Sequence, residues 1–94
     1  MKRKFTKDLL QALANGEIKD TSIVEVEERR LVSSRDGGEN WELIFEYKVG
    51  KNPAYYLVEY SVGMGLAPFQ FAPDEIECDE VIPFTVVCYE RKHE

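Results

Sequence analysis

Five carboxylates crowd into seven consecutive positions of this chain, Asp74, Glu75, Glu77, Asp79 and Glu80, directly after a stretch, residues 63–73, that carries no charge. Carboxylates at such spacing suit a hard cation, a basic protein surface or plain solvation, which is the common fate of an acidic run. The D-x-D-x-D-G spacing of a calcium loop is missing, so no metal is assigned to it. The uncharged stretch holds Gly63-Met64-Gly65, which lacks the length, the Lys-Ser/Thr ending and the following helix of a phosphate loop. Two glycines and two prolines make it an apolar loop. Leu66, Phe69 and Phe71 are expected to pack over an open end of the sheet, and any of Met64, Leu66 and Phe69 left exposed would be contact residues.

Nucleophilic catalysis finds little support. The single histidine, His93, is one residue from the end of the chain, in a stretch, 92–94, expected to fray. Cys78 and Cys88 lack metal-ligand spacing. They are expected to be free thiols in a reducing compartment. No catalytic residue, cofactor or metal is predicted. Tyr47, Tyr55, Tyr56, Tyr60 and Tyr89 are read as core and rim, because an aromatic platform for single-stranded bases comes with a basic groove and these tyrosines neighbour Glu46, Glu59 and Glu90.

At 94 residues the chain has room for one hydrophobic core, so residues 1–94 are taken as a single domain. Charge is uneven along it. Four of the 12 bases (Lys2, Arg3, Lys4 and Lys7) fall in the first seven residues, so residues 8–94 hold eight bases against 18 acids, a net of −10. Such a body repels phosphate backbones and attracts basic proteins, which disfavours direct nucleic-acid binding. No apolar run follows the basic start and none approaches the roughly 20 residues of a membrane span. The expected location is the cytoplasm.

The elements that must position these residues follow from periodicity. Phe5, Leu9, Leu10 and Leu13 lie at helical spacing, predicting an amphipathic helix over 5–15 after a flexible basic stretch, 1–4. Thr6 can cap its start and Asn15-Gly16 can end it, with Ile18 folding back. A first strand is predicted over 21–33, with Val24, Val26 and Val32 on one side and a blurred, charged centre at Glu27-Glu28-Arg29-Arg30. Asp36–Asn40 is a turn. The strands 41–49 and 54–62 alternate so cleanly that they form a hairpin, with Trp41, Leu43, Phe45, Tyr47 and Val49 as one core face and Tyr56, Val58, Tyr60 and Val62 as the other. A last strand is predicted over 81–91. The expected fold is α+β, one short N-terminal helix on a four-stranded, mainly antiparallel sheet. Pairing of 81–91 within the chain or across a homodimer is left open.

In size, acidity and a short lead helix before a sheet, the chain resembles the small acidic accessory proteins of phages and mobile elements. That resemblance implies a non-catalytic module that docks on a basic surface of a protein partner, in some cases inhibiting a nuclease by mimicking nucleic-acid charge. The expected contact residues are Asp74, Glu75, Glu77, Asp79, Glu80, Met64, Leu66 and Phe69. The alternative is a small-molecule-binding or regulatory domain, with the ligand between helix and sheet or under residues 63–71. An enzyme is the weakest reading.

Overall fold

The computed structural model describes residues 1–83, in the order β1 (Lys2–Thr6), α1 (Lys7–Asn15), β2 (Val24–Arg35), β3 (Gly38–Tyr47), β4 (Ala54–Gly63) and β5 (Glu75–Val81). Among these residues the fold is α+β, with one short helix and an antiparallel sheet, but the sheet has five strands where four were expected, ordered β1-β5-β4-β3-β2. The two additional strands, β1 and β5, come from the basic start and the acidic run. They pair with each other from Lys2↔Asp79 to Thr6↔Glu75. In β5 the acids alternate with half-buried Ile76 and fully buried Cys78, so the run is a half-buried strand. The predicted strand 81–91 lies mostly outside the described residues, and Val81 is the last residue of β5.

The helix begins two residues later than its periodicity suggests. Phe5 belongs to β1 opposite Ile76, and Thr6 breaks the helix with extended dihedrals while its Oγ1 accepts the Leu9 amide at 3.3 Å. At the other end Gly16, at φ 72°, closes the helix, with its amide donating to the Leu13 carbonyl and that of Glu17 to the Ala12 carbonyl. This is the Schellman arrangement, and Ile18 packs beside it on the core. Leu10 and Leu13 are fully buried against one sheet face, together with Leu43, Phe45 and Cys78, and Val58 is nearly so. At nine residues α1 depends on this packing to be helical.

The β3–β4 hairpin runs in the expected register, Trp41↔Tyr60, Leu43↔Val58 and Phe45↔Tyr56. Val49, expected in the core, lies past the end of β3 and is exposed. The β2–β3 turn is tighter than expected, because Asp36 and Gly37 both take positive φ and Gly38–Asn40 already belong to β3. Strand β2 carries register shifts at Glu27 and Val32. Each adds one residue to the strand, so Arg29 and Leu31 continue the face begun by Val24 and Val26, while Val32, expected on that face, is 56% exposed.

β4 pairs with β5 only over Tyr55–Leu57. Beyond that point β5 turns to β1, and residues 64–73 lie beside β4 and α1. Phe69 stacks on Tyr60 with ring centroids 5.2 Å apart, Gln11 donates to the Pro68 carbonyl and Lys7 to the Gln70 carbonyl. The uncharged loop thus closes the edge of the covered face.

Candidate partner-binding face

The pleat gives the sheet two unlike faces. Position by position, the core residues of β3 and β4 alternate with Asn40, Glu42, Ile44, Glu46 and with Tyr55, Leu57, Glu59, Ser61 on the opposite side. No element among the described residues covers that second face. In its middle lies a groove of about 560 Å³ lined by Ile44, Tyr55, Leu57 and Val81, with Glu27, Glu28 and Arg30 of β2 along one side and Ile82 and Pro83 along the other. Its floor is apolar and half-buried, while the β2 side is acidic, because Glu42 holds the one base there, Arg30, at 3.0 Å.

A second group of charges lies at the end of this face. The carboxylates of Glu25, Glu27 and Glu46 come within 4.8 Å of one another, the spacing of a metal site. Two of the three already hold a cation. The Lys48 ammonium sits 2.7 Å from Glu25 and 3.8 Å from Glu46, and it also donates to the Thr21 carbonyl at 2.8 Å. Glu25 in the first place raises the Lys48 pKa. Glu46 is the main cause of a raised phenol pKa at neighbouring Tyr55.

The predicted contact residues are dispersed. Glu75, Glu77 and Asp79 are exposed, and the register Leu57↔Asp79 turns them toward the open face. Bases lie beside two of them: Lys2 opposite Asp79 at 3.7 Å, and Lys4 opposite Glu77. Asp74 and Glu80 are exposed too, but their backbones are engaged, the Asp74 carbonyl with the Lys7 amide and the Glu80 amide with the Met1 carbonyl. Phe69 is a core residue, 7% exposed, packed down as expected, so it is not the contact residue it would be if left exposed. Met64 is 77% exposed and Leu66 lies at the surface, on the covered side of the sheet beside α1. Acids and loop therefore do not share a face. Phe71, expected to pack down, is also exposed.

Sequence reasoning passes over Ile44, Leu57, Glu27 and Glu28, and places Tyr55 among the core and rim tyrosines, whose outward members are open to a protein partner. The available signal was their chemistry. Ile44, Tyr55 and Leu57 are large apolar residues on the nominally polar side of two alternating strands, more than a solvated face requires.

Burial pushes the Cys78 thiol up to about 12, which makes it a core side chain and a poor nucleophile. Cys88 and His93 lie outside the described residues. Between α1 and the sheet, Leu10, Leu13, Leu43 and Phe45 are fully buried, so the space for an enclosed ligand there is filled. Two shallow hollows of about 300 and 360 Å³ flank Leu66. No protein-family model, no curated protein and no solved structure matches the chain.

Proposed function

We propose that this chain is a non-catalytic protein-interaction module whose open sheet face docks on a basic surface of a protein partner. The observation that carries the reading is the groove itself, with half-buried Ile44, Tyr55, Leu57 and Val81 as floor and Glu27 and Glu28 beside it. An apolar centre with a charged rim is the anatomy of a docking surface. Acidic rims speed and orient the approach of basic partners. Carboxylates ranged along neighbouring strands also suit a partner whose basic channel otherwise holds phosphates, which is the nuclease-inhibitor form of the same reading.

The test is salt-dependent capture on an immobilised array of basic nucleases, followed by calorimetry on each binder. Glu27→Lys with Glu28→Lys should weaken binding at least tenfold and flatten its dependence on salt. Binding unchanged by these two substitutions would remove the open face from the reading. A small-ligand reading has the hollows beside Leu66 in its favour, but they are at the lower limit for ligand sites, roughly 300 Å³. Leu66→Asp separates the two readings, because it alters the hollows and leaves the open face intact.

A further inference from the structure

The groove on the open face points to the shape of its occupant, and we propose that it receives one amphipathic α-helix with basic residues along one flank. This rests on the reading of that face as a protein-docking surface and adds which structure docks there.

Width is the first argument. One side belongs to β2 and the other to Ile82 and Pro83 just past β5, with β3, β4 and Val81 of β5 forming the floor, so three inter-strand spacings, about 14 Å, separate β2 from β5. An α-helix with its side chains is about 10–12 Å across and fits that span along the strand direction.

Backbone chemistry is the second. The floor residue Ile44 pairs with both Glu28 and Leu57, while Leu57 pairs with Ile44 and Asp79, so the middle of the sheet has no unpaired edge for an added strand. An extended segment laid across Ile44, Tyr55 and Leu57 would press its own amides and carbonyls against apolar side chains. A helix arrives with those groups already bonded and presents only side chains. Charge fixes its orientation. Glu27 and Glu28 on β2 call for Lys or Arg on that flank, and Ile82 and Pro83 call for apolar residues on the other.

The test uses the full chain and two synthetic peptides of equal composition, about sixteen residues long. One carries leucines at i, i+4, i+7 and i+11 with lysines on one flank, and the other is a permutation without a continuous apolar face. Calorimetry and far-ultraviolet circular dichroism should show the first peptide binding at least tenfold more tightly than the second and gaining helix as it binds. Leu57→Asp should abolish that preference, and Leu66→Asp should leave it unchanged. Equal binding of both peptides overturns the helix assignment while leaving charge-driven docking standing. Absence of binding by both overturns the helix assignment, with the nuclease array then deciding the docking reading on its own. Two further outcomes also overturn it. A free protein that is a dimer broken by Leu57→Asp assigns the face to a second copy. Peptide binding gained only on substituting Phe84→Asp and Val86→Asp assigns it to the chain's own C-terminal residues.

Discussion

Phe5→Ala tests whether the basic start of the chain is a structural strand. Phe5 is 6% exposed, and its ring meets Phe45, Tyr47 and Tyr56 at centroid distances of 5.0, 5.3 and 5.0 Å. Truncating a buried phenylalanine costs about 3–5 kcal/mol, including the lost edge-to-face contacts. Because β1 is an edge strand, water can reach part of the cavity, which sets the expected loss near 3 kcal/mol. For a domain of this size that corresponds to a fall in Tm of roughly 12–24 °C. Urea unfolding followed by Trp41 fluorescence measures it, since Trp41 lies on β3, two strands from β5 and three from β1. An unchanged m-value would show that the unfolded surface is the same. Lys4→Ala is the control: its side chain is exposed opposite Glu77, and its loss should stay within about 0.5 kcal/mol. A Phe5→Ala loss below about 1 kcal/mol would refute the anchoring of β1.

Three more outcomes are expected. Gly63 has φ 103°, and a Cβ there would overlap the Gly37 carbonyl oxygen, whereas Gly65, at φ 79°, has open space; by urea titration Gly65→Ala should cost about 1 kcal/mol and Gly63→Ala at least about 2. Arg29 donates to the Leu13 carbonyl at 2.8 Å and so ties β2 to the end of α1; Arg29→Ala should cost about 1–2 kcal/mol, and Arg29→Lys should recover part of it. Burial and then Asp79 raise the Cys78 thiol from 9.0 to about 12, so the folded state keeps its proton where the unfolded state loses it. Stability should accordingly fall as pH rises from about 9 toward 12, and iodoacetamide at pH 8 should label Cys78 only in urea, as read by peptide mass spectrometry.

What could be read from the sequence was local. Thr6 and Gly16 mark the ends of α1 by their own dihedral preferences, and the β3–β4 register follows from two apolar faces that match only one way. Strands β1 and β5 were illegible for a different reason. Lys2–Thr6 contains one apolar residue and β5 three, Ile76, Cys78 and Val81, so neither shows a hydrophobic alternation strong enough to stand alone. Their signal is mutual, bases of one opposite acids of the other, and it can be seen only once the pairing is known. β2 misled through its register shifts, since a period-two reading assigns Val32 to the core and the inserted residues turn it out. For the candidate site, alternation correctly sorted Ile44, Tyr55 and Leu57 away from the core but could not tell that they adjoin Val81 across a strand pair distant in sequence.

The pairing of β1 with β5 also relocates the acidic character of the protein. A loose basic tail would leave Glu75, Glu77 and Asp79 as the strongest source of negative potential, but Lys2 and Lys4 are fixed beside two of them within the sheet. Opposite charges on neighbouring strands offset one another at distances beyond a Debye length, about 8–10 Å, so of these three acids only Glu75, opposite Thr6, has no base facing it on β1. The other side differs. On β2 and β3, Glu25, Glu27, Glu28, Glu42 and Glu46 face the open side with Arg30 and Lys48 as the bases among them, and both are already engaged by carboxylates. Uncompensated charge therefore gathers along Glu27 and Glu28, at the margin of the apolar floor. Steering and desolvation then act at one place: the potential draws a basic surface to β2, and Ile44 and Leu57 beside it supply apolar area to retain it.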